Sequence, residues 1–197
     1  LKALFGLDKI TSGEVLLCGK RETIHTPNDA IKKGISLVPE NRREEGLILD
    51  YSVAENTIMS IYSKIKSGLL FINEKLKNTI AHNYVEKFDV KTQGIDQIIR
   101  FLSGGNQQKI VVAKCLANNS KVLLLDDPTF GVDIQAKHEI MKIIRDYVSQ
   151  GNTVFMVSSE FNELAEFCDS IYIMKKGRIT NLITEKTTED NLLFMAQ

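Results

Sequence analysis

The chain has 197 residues, 43% of them hydrophobic and 25% charged, and its 25 Lys+Arg balance its 25 Asp+Glu. These values are ordinary for a globular domain with a buried core. They exclude the strongly basic footprint of a nucleic-acid binder, and no apolar run reaches the roughly 18 residues a membrane helix needs. The N-terminus lacks a signal-peptide layout. Leu1 opens abruptly inside an apolar pattern (Leu1, Leu4, Phe5, Leu7), so the expectation is a piece of a longer chain whose upstream part is missing.

In chain order, residues 1–7 read as the end of a helix stopped near Gly6. Glu14–Cys18 reads as a short strand closed by Gly19–Lys20. Pro27–Lys33 suits a helix with Thr26 as its cap and Pro27 in its first turn. Gly34 ends it, Ile35–Val38 is a strand, and Pro39–Gly46 is a polar loop crowded with Glu40, Arg42, Arg43, Glu44 and Glu45. Residues 52–100 carry mostly helical periodicity, as in Ile80, Tyr84, Val85 and Phe88. Gln107–Ala117 is a helix. Val122–Leu125 is an all-apolar run, the mark of a strand buried on both faces of a parallel sheet. Asp133–Gln150 is a helix, Gly151–Asn152 a turn, Thr153–Val157 a second buried strand and Glu160–Phe167 a helix. Ile171–Met174 and Arg178–Ile183 form a hairpin across Lys176–Gly177, and Thr188–Ala196 is a terminal helix capped by Thr188. Strands alternate with helices at both ends and helices fill the middle, which predicts an α/β sheet lobe interrupted by a helical lobe at about residues 40–118.

Cys18, Cys115 and Cys168 lie far apart among apolar neighbours, without metal spacing, so buried reduced thiols are expected. His25, His82 and His138 share no ligand spacing and are expected at the surface or in loops.

Two segments carry chemistry. In Leu102-Ser103-Gly104-Gly105-Asn106-Gln107-Gln108-Lys109, two glycines follow a serine and lead straight into a helix. Such a turn lets backbone approach a ligand, and the helix start offers free N–H groups and a positive dipole end to an anion. The same residues also describe an ordinary capped helix behind a Gly-Gly turn. In Val122–Thr129 a buried strand ends in Asp126-Asp127-Pro128-Thr129. Open α/β sheets bind ligands at the carboxyl ends of their strands. Asp126 is therefore a candidate Mg²⁺ ligand and Asp127 a candidate base facing an attacking water. A strand simply ending in a polar turn is the plainer alternative.

Taken together, in this order and joined by one helix, these segments resemble the ABC ATPase family. Leu102–Gln107 resembles its signature motif, Val122–Asp126 its Walker B strand and Gly131-Val132-Asp133 its D-loop. Ser159 falls at the position of the switch histidine. Ser36–Glu40 resembles the Q-loop, with Glu40 at the glutamine. The Leu-Ser-Gly-Gly-Asn-Gln-Gln-Lys segment, Pro39–Arg42 and Val157–Glu160 are similar to the second half of the fused tandem ATPases of bacterial sugar importers, of the ribose, galactose and xylose type.

That resemblance implies a P-loop NTPase-like ABC fold. Residues 1–39 would open the sheet lobe, 40–118 would form the Q-loop and helical lobe ending in the signature helix, and 119–197 would complete the sheet lobe. It implies ATP and Mg²⁺ as cofactors, with Asp126 and Glu40 toward the metal and Asp127 and Ser159 as catalytic positions. Ser103, Gly104, Gly105, Asn106 and Gln107 would meet the ATP held by the opposite domain. Asp133 would serve the D-loop, and Glu40, Arg42 and Arg43 would face a membrane permease. The implied partners are a second nucleotide-binding half, the permease and, indirectly, a solute-binding protein, at the cytoplasmic face of the cell membrane. No nucleic-acid partner is implied.

Several positions depart from the competent pattern. Asp127 stands where the family has Glu and is one methylene shorter, so its carboxylate falls short by roughly an ångström, a misplacement that can cost about 100-fold. Ser159 brings no imidazole. Glu40 adds negative charge beside a site for phosphate and metal. Phe130 stands where the sugar-importer halves usually have Arg. The Gly-rich phosphate loop, which in the family ends a few residues before Leu1, is absent, so the chain alone is expected to be inactive. A non-catalytic half that completes its partner's ATP site is the alternative. A soluble ABC protein of DNA repair or translation is disfavoured, because the helical segment has no sustained heptads.

Overall fold

The computed structural model describes residues 1–67 and 71–196. The expected helical content at 68–70 lies outside the described residues. The chain divides into two compact units, Leu1–Met156 and Val157–Gln197.

The first unit opens with α1 (Lys2–Phe5), which stops at Gly6 with φ of 80°. A β-carbon there would lie 2.6 Å from the Thr26 carbonyl carbon, so both the left-handed backbone and the close approach require glycine. β1 (Val15–Leu17) and β2 (Lys20–Glu22) form an antiparallel hairpin. Its turn residues Cys18 and Gly19 both have positive φ, the geometry of a tight two-residue hairpin turn. β2 escaped the sequence reading, because Lys-Arg-Glu has no apolar alternation. α2 (Pro27–Lys32) starts at Thr26, whose side chain accepts from the Asp29 N–H while Asp29 accepts from the Thr26 N–H. That reciprocal cap removes two orphan donors. Ile24, Ala30, Ile35 and Leu124 make the core beneath these elements, with Leu1, Leu4, Phe5 and Val15 packed against it.

β3 (Ile35–Val38) pairs in parallel with β6 (Val122–Asp126), in register from Ile35 opposite Val122 to Val38 opposite Leu125. Between them the chain makes α3 (Val53–Ile58), a 3₁₀ turn over Met59–Lys64, the two-residue strands β4 (Lys66–Ser67) and β5 (Phe71–Ile72), α4 (Glu74–Lys87), a short turn at Ile99–Phe101 and α5 (Gly104–Ala117). Asn56, fully buried, ties this insertion together. Its amide oxygen accepts from the Ile48 N–H at 2.9 Å, and its amide nitrogen donates to the Ile48 and Ser52 carbonyls. Leu123, Leu124 and Leu125 are at most 1% exposed, as the apolar run of β6 predicts. β6 leads to α6 (Ile134–Ser149), capped by Asp133, which buries Ala136, Ile140, Met141, Ile144 and Tyr147.

β7 (Thr153–Val157) completes the sheet order β3-β6-β7. Its sequence predicts a strand buried on both faces, yet Phe155 and Val157 are each 48% exposed. β7 is an edge of the described sheet with β6 as its one hydrogen-bonded neighbour, and that leaves its apolar side chains open. Two further expectations are corrected. Arg42–Gly46 is a π-helical turn rather than loop, because the Asn41 side chain caps its first N–H groups. Cys18 is exposed, since it occupies a hairpin turn; Cys115 is buried and burial pushes its thiol up to about 11.

The second unit contains α7 (Phe161–Phe167), the antiparallel hairpin of β8 (Ile171–Lys175) and β9 (Arg178–Ile183), and α8 (Glu189–Ala196). Ile171, Ile173 and Leu192 form its core. No described helix is long and apolar enough to cross a membrane.

Candidate functional site

The carboxyl ends of β3 and β6 and the start of α5 assemble the candidate site in the first unit. Ser103 caps α5, and its Oγ accepts from the Asn106 N–H at 3.4 Å and from the Asn106 amide at 2.8 Å. Ser103 itself is exposed. Asn106 in turn accepts from the Lys91 N–H at 2.8 Å. Gln107 faces the other way: it is fully buried and its amide donates to the Ile99 and Leu102 carbonyls, both at 3.2 Å. So Ser103, Gly104, Gly105 and Asn106 share the helix start, while Gln107 is engaged inside the lobe.

Packing demands Gly105 and leaves little room for a side chain at Gly104. A β-carbon on Gly105 would lie 2.4 Å from the Ala136 β-carbon of α6, and one on Gly104 would lie 2.6 Å from Nη2 of Arg42 and 3.3 Å from the Gly131 carbonyl oxygen. A side chain at Gly105 would push the start of α5 away from α6, and one at Gly104 would displace the Arg42 guanidinium and crowd the Gly131 carbonyl.

Asp126 ends β6, half-buried. Asp127 takes φ of 43°, a left-handed conformation that Asp tolerates better than most residues. From it a tight turn runs on, with the Phe130 N–H donating to the Asp127 carbonyl at 3.0 Å and the Val132 N–H to the Thr129 carbonyl at 3.3 Å. Asp133 closes the turn by accepting from the Ala136 N–H at 2.9 Å. Phe130 is 59% exposed.

Glu40 is exposed just past β3. Arg42 reaches across 88 positions of sequence: Nη1 donates to the Phe130 carbonyl at 2.7 Å and Nη2 to the Gly131 carbonyl at 3.1 Å. Burial, and then the neighbouring Arg43, lower the guanidinium pKa. Arg43 points to solvent. Glu40, Asn41, Arg42, Arg43, Phe130 and Gly131 line a cleft of about 430 Å³.

Ser159 belongs to the second unit and is exposed in the bend ahead of α7. There Ser158 donates to the Glu163 carboxylate at 2.9 Å and accepts from the Glu160 N–H.

Among the described residues no three His, Cys, Asp or Glu side chains converge as a metal cluster. A single half-buried carboxylate at a strand end, as Asp126 offers, still suits Mg²⁺, which usually keeps several waters and takes one or two carboxylates.

Two features went unread in the sequence. One is the reach of Arg42 to the Phe130–Gly131 turn. The other is Lys109, 2% exposed, whose Nζ lies 2.7 Å from Glu139 and donates to the Asp89 carbonyl at 2.9 Å.

A parallel strand pair ending in Asp126 and Asp127, preceded by a helix that starts at Ser103-Gly104-Gly105, belongs to the ATP-binding-cassette fold. The profile of the ABC transporter family matches residues 1–130, and the chain belongs to that family. It is 41% identical over 196 residues to the ribose import ATP-binding protein RbsA of Caldanaerobacter subterraneus subsp. tengcongensis, covering 99% of this chain and 40% of that protein. It is 39% identical over 198 residues to the arabinose import ATP-binding protein AraG of Pectobacterium atrosepticum, with 100% and 39% covered. The chain thus spans about two fifths of the length of these relatives. A nucleotide-free ATP-binding cassette from an ABC transporter superposes with a TM-score of 0.82 at 20% identity, over 98% of this chain and 78% of that one. A dimeric cassette in a post-hydrolysis state, bound to ADP and Pi, gives 0.75 at 23%, over 93% and 78%. These two likenesses establish the fold.

Proposed function

We propose that this chain is part of the ATP-binding subunit of an ABC importer, in which ATP binding and hydrolysis drive uptake of a sugar or related small solute. Its relatives are named for ribose and arabinose import, which supports that solute class. The observation that carries the reading is the exposed, capped start of α5 at Ser103, with Gly105 packed without a side chain against Ala136 of α6 and Gly104 beside Arg42 and the Gly131 carbonyl. That geometry suits a phosphate-facing helix start in the first unit; the sequence resemblance, by itself, assigns Asp126 as the Mg²⁺ ligand, Asp127 as a catalytic position and Ser159 as the switch position. Asp133 belongs to the dimer-facing turn. Glu40 also lies toward the metal, and with Arg43 it faces the permease.

In this reading the chain corresponds to the second half of a tandem ATPase, with residues 40–118 as its helical lobe. Its partners are the other nucleotide-binding half, a permease and a solute-binding protein, at the cytoplasmic face of the membrane. No Gly-x-x-x-x-Gly-Lys-Ser/Thr sequence occurs among the 197 residues. The reading therefore assigns the phosphate cradle to residues outside this sequence and predicts that the chain alone binds ATP no tighter than about millimolar, roughly 4 kcal/mol. Titration calorimetry with ATP and Mg²⁺ tests this: a micromolar constant for the chain alone contradicts it. A second reading, a degenerate half that only completes its partner's site, is favoured by Asp127 and Ser159 standing where competent domains have Glu and His.

A further inference from the structure

We propose that Arg42 is a positioning residue that sets the start of α5 against the turn after β6. The proposal rests on the reading that Ser103 and Gly104 complete an ATP site. Arg42 lies in the π-helical turn just past β3, held there by the Asn41 cap. Its two Nη groups donate to consecutive carbonyls, Phe130 at 2.7 Å and Gly131 at 3.1 Å, in the segment linking Asp127 to Asp133. A planar fork offers two donor nitrogens in fixed geometry to two carbonyls, whereas an ammonium must serve both from one nitrogen. The same guanidinium fills the space that a side chain would take at Gly104, where a β-carbon would lie 2.6 Å from Nη2, and it lies in van der Waals reach of Gly131. One side chain thus spaces three segments that are remote in sequence.

Further observations mark this as more than ordinary packing. Nε is buried and has no hydrogen-bond partner, so the geometry is kept although it leaves a donor unsatisfied. Among the described residues no carboxylate lies within ion-pair distance of Arg42. Its charge is met by carbonyl dipoles alone, and it adds to the positive end of α5 directly beneath Gly104. Arg43, its neighbour, stays in solvent, so of the two arginines Arg42 is the one turned inward.

Loss of the fork lets the α5 start and the Phe130–Gly131 turn drift apart. Misplacement on the scale of an ångström costs about 100-fold in turnover, so a partial drift costs about 10-fold. The test uses the full-length protein assembled with its permease. Arg42→Ala should lower kcat for ATP hydrolysis about 10-fold with little change in KM. Arg42→Lys should recover less than half of the loss, and added methylguanidine should restore turnover in Arg42→Ala but not in the wild-type protein. Ser103→Arg, assayed in parallel, separates the two ideas. If Ser103→Arg leaves hydrolysis intact, the underlying reading fails. If Ser103→Arg abolishes hydrolysis while Arg42→Ala stays within about two-fold of wild type, the positioning role is overturned. Should Arg42→Ala melt early, Arg42→Lys decides: full wild-type kcat in that variant also overturns the proposal.

Discussion

Lys109 shows how far a single residue departs from what its neighbours suggest. It is buried in α5 between Gln107-Gln108 and Ile110-Val111-Val112, held by Glu139 of α6 and by the carbonyl of Asp89 just past α4. The hydrogen bond from Lys109, with help from Gln135, holds the Glu139 carboxyl below its ordinary 4.5. A carboxyl lowered in the folded state contributes stability that is complete above the unfolded value and is lost as pH falls through the folded one. Acid unfolding should therefore carry a Glu139 contribution below pH 4.5 that disappears in Lys109→Met. The same variant should unfold in urea with about 1–3 kcal/mol less stability, since the Asp89 carbonyl loses its donor; an unchanged midpoint and acid profile would contradict this. Asp127 sits in left-handed backbone, which Asp adopts more readily than Glu. With the other half of the full-length protein silenced, Asp127→Glu should still raise hydrolysis roughly 10²-fold by restoring reach. Rates of purified variants measured side by side decide it. The Ser-Gly-Gly segment was legible at this scale because a cap and a helix start are local. The inward turn of Arg42 was not, because its partners are 88 and 89 positions away.

The elements read well wherever a local signal marks their ends. Thr26 and Asp133 cap helices, Gly6 stops one, and β3 and β6 follow their apolar runs. Short or unmarked pieces were missed. β2 and the β4–β5 pair are two or three residues each, and the π-helical turn after Asn41 has no sequence signature. β7 reads as a buried strand from its composition and is half-open in the described sheet, because burial depends on a second neighbour that periodicity does not report. Gly6 offers a direct test of local determinants. At φ of 80°, a β-carbon there meets the Thr26 backbone at 2.6 Å. Gly6→Ala should cost about 1–2 kcal/mol from the left-handed conformation alone, and more if the α2 cap is displaced. Chemical denaturation checks this, and a variant as stable as wild type would mean that the α1–α2 corner relaxes freely.

At the scale of the whole molecule, motif order was the strongest signal. The segment after β3, the α5 start, the β6 end and the following turn come in the order of the ABC family, to which the chain belongs. The central functional claim is that the α5 start serves an ATP held by the opposite domain, while the chain's own catalytic positions have drifted. A fixed donor set aimed at a γ-phosphate contributes roughly 3–4 kcal/mol to the transition state. The most direct measurement is a paired ATPase assay of Ser103→Arg and Asp127→Asn in the full-length protein with its permease. The account predicts that Ser103→Arg nearly abolishes hydrolysis and that Asp127→Asn does much less; equal loss in both would contradict it and locate the chemistry in this half.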